Sequence, residues 1–177
     1  ISGKKPLVKY WLHTGFLTVN DQKMSKSLGN FITIRDFLKD HSPRLLRFLI
    51  IKSLYLSLID YSEKIILQSE KELEKIDGFV NLLRSNLLKS ISPKFDLRKY
   101  EKQFNAAMED DFNTPKAIAV IFNLISQGNS LIAQNKLTKK TAEEILEFFK
   151  KADEFFNFIF WQKPKERIPQ ELLNLVK

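Results

Sequence analysis

Cysteine is missing from these 177 residues, so neither a disulfide framework nor a thiolate metal site can form within them. Histidine occurs twice, at His13 and His41, too isolated to suggest a metal cluster; structural or solvent roles are expected for His13 and a surface position for His41. Glycine and proline are scarce, at 5 and 6 residues, which disfavours a sheet-and-turn architecture or a disordered tail and favours helix. Long hydrophobic runs are lacking too. The most apolar stretch, Leu45 to Leu58, is broken by Arg47, Lys52 and several serines and cannot span a bilayer, and nothing at the start resembles a signal peptide. A cytosolic protein with no membrane partner is expected. The opening residues, Ile1 to Pro6, read as a loop entered from something upstream, and 170–177 as a helix stopped short, so a piece of a longer protein is expected.

Apolar residues at 44% and charged residues at 28% are ordinary for a globular domain with a real core. The net charge of +8 is uneven: residues 1–60 hold ten Lys/Arg against four Asp/Glu, whereas residues 61–177 hold nineteen against seventeen. Anion binding is therefore expected early in the chain, although a basic surplus also serves plain solubility.

Leu7 to Leu12 and Gly15 to Val19 are rich in β-branched and aromatic residues and predict two short strands before a polar turn at Asn20-Asp21. Trp11, among apolar neighbours, is expected in the core rather than stacked on a base. Thr33-Ile34-Arg35-Asp36 has the form of a capping box and predicts a helix over about 34–39; Ser42-Pro43 opens another through about Ser53. From Glu63 a long amphipathic helix carries Ile66, Leu73, Val80 and Leu87 seven apart, with Ile76 and Leu83 between, which suits bundle packing better than a dimeric coiled coil. Ser90 to Pro93 breaks it. Leu97, Tyr100, Phe104, Ala107 and Met108 mark the core face of the next helix. Asp110 to Pro115 breaks the chain again, with Thr114 as cap, before a helix carrying Ala117, Val120, Ile121 and Leu124; a last long helix carries Ile145, Phe148, Ala152, Phe155 and Ile159. The fold class is mainly α, a mixed first third followed by a four-helix array.

Between the turn and the first helix, Lys23-Met24-Ser25-Lys26-Ser27-Leu28-Gly29-Asn30 has neither helical nor strand period. Two ammonium groups three residues apart, with hydroxyls and a glycine beside them, could partner a polyphosphate, but two lysines in a surface loop are also commonly just solvated.

Residues 23–27 match without substitution the KMSKS signature of class I aminoacyl-tRNA synthetases, and Leu28 to Asp36 continues it in a way that resembles the cysteinyl family. Tyr10 to Phe16, Ser42-Pro43 to Phe48, Asp60-Tyr61-Ser62 and Asp110 to Pro115 resemble further landmarks of that family, in order. The resemblance implies residues 1–62 as the end of a class I nucleotide-binding catalytic domain and 63–177 as a helical-bundle anticodon-binding domain, truncated at its end. It implies ATP, cysteine and tRNA(Cys) as partners of a monomeric ligase. Lys26 would act on the ATP phosphates as the catalytic residue, Lys23 would assist, Ser25 and Ser27 would hold the loop's shape, and Met24 completes the ATP-binding segment. The family's HIGH motif and its zinc ligands do not occur in this sequence, so zinc is expected only in the parent protein and these residues alone are expected to be inactive. Leu54 to Leu58 departs from the family's His-Tyr-Arg-Ser-Pro stretch and loses its basic character there, so no tRNA contact is assigned to it. A methionyl or other class I synthetase, a cysteine ligase with a small amine acceptor, and a non-catalytic synthetase-derived tRNA-binding module are the alternatives. By its own near-neutral charge the helical array is equally suited to being a scaffold.

Overall fold

The chain joins its first ladder at Leu17, later than its β-favouring residues suggest. In the computed structural model, which describes residues 3, 5, 6, 8–85 and 95–160, β1 (Leu17–Val19) pairs antiparallel with β2 (Gln22–Lys23) and parallel with β3 (Ile59–Tyr61), in the order β2-β1-β3. Asn20 and Asp21 both take positive φ, 49° and 62°. That is the two-residue hairpin geometry whose twist suits the flanking strands, and Asn and Asp tolerate it best among residues with a side chain. The polar turn expected there is borne out.

The strand expected over Leu7–Leu12 does not form at residues 8–12; Leu7 lies outside the described residues. Propensity supplies no ladder partner, and an extended segment without a neighbouring strand gains nothing from pairing. Trp11 is accordingly not in the core: it is 74% exposed, and its ring stacks 6.4 Å from that of His13. β3 was missed because three residues, Ile59-Asp60-Tyr61, carry too short a pattern to read.

Local capping chemistry sets the two short helices. α1 (Ile34–Asp40) starts where the Thr33 hydroxyl accepts the Asp36 N–H at 3.1 Å and donates to the Asp36 carboxylate at 2.6 Å. α2 (Pro43–Ile51) starts where the Ser42 hydroxyl accepts the Leu45 N–H, with proline in the first turn where its missing donor costs nothing. His41, expected at the surface, is half-buried. Its ring packs 4.8 Å from Phe37, and Nδ1 lies 3.5 Å from the Glu70 carboxylate.

The remainder is four helices: α3 (Glu63–Arg84), α4 (Arg98–Glu109), α5 (Thr114–Ala133) and α6 (Lys139–Phe156). α4 packs along α5, and α3 lies against α2, α5 and α6. The α3 stripe is buried as expected at Ile66, Leu73, Ile76, Val80 and Leu83; Leu87, the break at Ser90 to Pro93 and everything from residue 161 lie outside the described residues. Two details differ. Asn113, not Thr114, caps α5 by accepting the Lys116 N–H, because the Thr114 hydroxyl is turned to the Ser53 carbonyl. Phe155 is 63% exposed: a seven-residue step drifts round a 3.6-residue helix, and Phe156 takes the core position, stacked 5.5 Å from Phe158.

α5 is long and apolar enough to cross a membrane by length and composition alone, more so than Leu45 to Leu58. Its apolar face is spent within the bundle, however: Ala117, Ile121 and Leu124 are fully buried. The centre of the core is aromatic. Phe104 meets Phe148 and Phe156 edge-on at 5.6 Å, and Phe48 of α2 meets Phe158 at 4.9 Å. Each such pair contributes about 0.5–1.5 kcal/mol beyond the area it buries. Phe48 thus carries the core of the helical array across to α2, whose Leu46, Leu49 and Ile50 share a cavity with Met24 of the lysine loop.

Candidate functional site

The five residues singled out in the sequence follow directly from the hairpin. Lys23 ends β2, and residues 24–30 make a loop that bonds mainly to itself. The Ser25 N–H donates to Asn30 Oδ1 at 2.9 Å, and Asn30 Nδ2 donates back to the Lys23 carbonyl at 3.2 Å. The Ser25 hydroxyl accepts the Leu28 N–H at 3.3 Å and lies 3.1 Å from the Ser27 hydroxyl. The Gly29 N–H closes a turn onto the Lys26 carbonyl at 3.2 Å, with Gly29 at φ +66°, a conformation that costs glycine nothing. Ser25 thus makes its bonds within the loop, and the Ser27 hydroxyl meets it there.

Met24 points the other way. It lines a small apolar cavity of about 70 Å³ with Leu17, Ile32, Phe37, Leu49 and Tyr61, between the sheet and the two short helices. An unbranched thioether suits such an irregular gap, and it anchors the start of the loop to the core.

Lys23 and Lys26 are exposed, and among the described residues neither has a carboxylate within ion-pair distance. Each ammonium instead lies over an aromatic ring: Lys23 Nζ is 5.6 Å from the centre of Phe16, and Lys26 Nζ is 5.7 Å from that of Phe31. At an exposed site such a contact is worth about 0.5–1 kcal/mol, enough to bias a rotamer but little against a multiply charged anion. The arrangement is two unneutralised, movable cations on a backbone already folded into a turn. It can bind and follow polyanionic charge.

The hairpin beneath the loop is fixed by Asp60, which sequence reading singled out only as part of a landmark. Its carboxylate accepts the Asp21 N–H at 2.8 Å and the Thr18 hydroxyl at 3.0 Å, joining β3 to the turn. Burial pushes its pKa up, but the bonds from the Asp21 N–H, the Thr18 hydroxyl and the Ser62 hydroxyl outweigh this and leave it below the ordinary value of 3.8. Asp36, at the head of α1, is drawn down to about 2, first by its bond to the Lys39 ammonium and then by the Thr33 hydroxyl. Asn30, Phe16 and Phe31 likewise enter the sequence reading only as parts of longer stretches; an Asn beside a Gly is too common in loops to be a signal by itself.

The segment after α2 ties this site to the helical array. The Gly15 N–H donates to the Tyr55 carbonyl at 2.7 Å, while the Tyr55 hydroxyl donates to Asp111 at 3.0 Å in the turn between α4 and α5. Lys52 reaches Ser69 and Glu72 of α3. His13 is exposed and joins no cluster, and among the described residues no group of three or more His, Cys, Asp or Glu side chains could hold a metal ion.

Two family models match different parts of the chain. Residues 1–71 match the family described as tRNA synthetases class I (C) catalytic domain, and residues 103–160 match the DALR domain. A protein of Carboxydothermus hydrogenoformans named Cysteine–tRNA ligase is 41% identical over 152 residues, covering 82% of this chain and 33% of that protein. Proteins of the same name from Thermococcus gammatolerans and Shouchella clausii are 37% and 32% identical, covering 96% and 100% of this chain and 38% and 39% of theirs. The matched part of the chain therefore spans between 33% and 39% of the length of these curated relatives.

Proposed function

The chain belongs to the cysteinyl-tRNA synthetase family, and from that membership we propose that it supplies the ATP-phosphate loop and the tRNA-binding helices of an enzyme that joins cysteine to tRNA(Cys). The reaction has two steps. The cysteine carboxylate attacks the α-phosphate of ATP, the bond to the β-phosphate breaks and pyrophosphate leaves; a terminal ribose hydroxyl of the tRNA then displaces AMP from the adenylate.

Negative charge grows on the departing pyrophosphate in the first step. Lys26 offsets it, with Lys23 assisting and residues 24, 25 and 27 holding the loop. Stabilisation of this kind accelerates the reaction because it is stronger in the transition state than in bound ATP. The observation that carries the assignment is the pair of exposed lysines that, among the described residues, have no carboxylate partner, on a loop whose backbone is otherwise self-bonded. The tRNA-binding role of the helices rests on the DALR match at 103–160. We place the boundary between the two parts at 62/63, where α3 begins, and read the enzyme as a cytoplasmic monomer. Zinc, implied by the family, has no fitting set of side chains among the described residues, and no step is routed through it.

The test is cysteine-dependent adenylate formation, followed in the pre-steady state with the full-length protein. Lys26→Ala is expected to slow it roughly 10²-fold to 10³-fold, by analogy with the loss of one positioned donor, while ATP binding changes far less. An unchanged rate would remove Lys26 from the mechanism. The 177 residues alone are expected to show no ATP–pyrophosphate exchange.

A further inference from the structure

Asn30 spans the lysine loop with a single side chain. Its oxygen accepts from the Ser25 N–H and its nitrogen donates to the Lys23 carbonyl, at 2.9 and 3.2 Å, so one amide joins the loop's far end to both residues that flank Met24. Only an uncharged amide performs both tasks: a carboxylate can accept but not donate, and alanine can do neither. The Lys26 to Gly29 turn and the Ser25–Ser27 hydroxyl pair lie between those contacts. The backbone of Lys26 is thus held at the start of a turn whose base Asn30 clasps, and Met24 seats the same base on the apolar cavity.

We propose that Asn30 is a positioning residue for Lys26: its amide orders the loop before the polyphosphate arrives, so that the ammonium is delivered without first folding its own backbone. A charge on a loose loop must be ordered as the transition state forms, and that ordering subtracts from the stabilisation it gives. The proposal rests on the role of Lys26 given above.

A cycle of variants in the full-length protein tests it. Asn30→Ala should slow adenylate formation at saturating ATP about tenfold, as suits two hydrogen bonds of modest net worth, with the KM for ATP changed less than about twofold. It should also speed tryptic cleavage after Lys23 and Lys26. In a Lys26→Ala background the same change should alter the rate less than about twofold, since no charge remains to be positioned. Asn30→Leu, close to the same volume and uncharged but unable to make either bond, gives the same cycle should the alanine variant fail to fold. Full multiplicative losses in the double variant, or no loss from either Asn30 change, would overturn the positioning role and leave Lys26 standing. No loss from Lys26→Ala itself would overturn the reading beneath it.

Discussion

The guanidinium of Arg44 meets the carboxylate of Asp77 through two parallel bonds of 2.7 Å, while its Nε donates to the Phe158 carbonyl at the same distance. One side chain of α2 therefore holds both α3 and the segment after α6, and the helical array is docked to the second helix after the lysine loop. Arg47 repeats the device on the Phe156 carbonyl at 2.7 Å.

Arg44→Lys keeps the charge but loses the planar fork that reaches three acceptors at once. Because the Arg44 side chain is 14% exposed and Asp77 is 46% exposed, a loss of about 1–2 kcal/mol is expected, at the lower end for a charged pair. Urea unfolding measures it. A cost below a few tenths of a kcal/mol would show that the docking is held by apolar contact alone.

Gly128 sits where α5 crosses α3, and a methyl group there would run into the ring of Phe79. Alanine normally favours a helix by about 1 kcal/mol over glycine, yet a buried clash costs about 1–3 kcal/mol, so Gly128→Ala is expected to destabilise. Adding Phe79→Leu should recover part of the loss. If Gly128→Ala stabilises the protein, the ring moves aside without cost.

At Gly15 the obstacle is backbone. An added Cβ would meet the Ser57 carbonyl, which cannot swing away as a side chain does. Gly15→Ala should therefore cost about 2 kcal/mol or more and also weaken the Gly15 to Tyr55 bond; thermal unfolding reads the first effect and amide exchange at Gly15 the second.

Asp60 gives the fold a defined acid sensitivity. Its pKa is lowered on folding, so its stabilisation is complete above the ordinary value of 3.8 and is lost as pH falls through the folded value below it. Asp60→Ala, which removes the bonds from the Asp21 N–H and the Thr18 and Ser62 hydroxyls, is expected to cost about 1–3 kcal/mol at neutral pH. The gap between variant and parent should close only below about pH 4, as read by denaturant unfolding across pH. A constant gap down to pH 2 would mean that the carboxylate's charge contributes nothing.

Much of this protein is written locally. Thr33, Ser42 and the Asn20-Asp21 turn act on neighbours within three residues, and the α3 stripe repeats at the helix's own period, so caps, turn and core face could be read without knowing the fold. The lysines of the loop are legible for the same reason, as a run of residue types in one segment. What tertiary structure alone decided are relations between distant positions. Trp11 is exposed because, among the described residues, no strand pairs with its segment, and Phe156 stacks on Phe158 because the chain turns at Asn157. The hairpin beneath Lys23 is pinned by Asp60, a residue some forty positions further along the chain. A hydrogen bond or ring contact across such a distance depends on the path of the whole chain, whereas a cap depends on one turn of it.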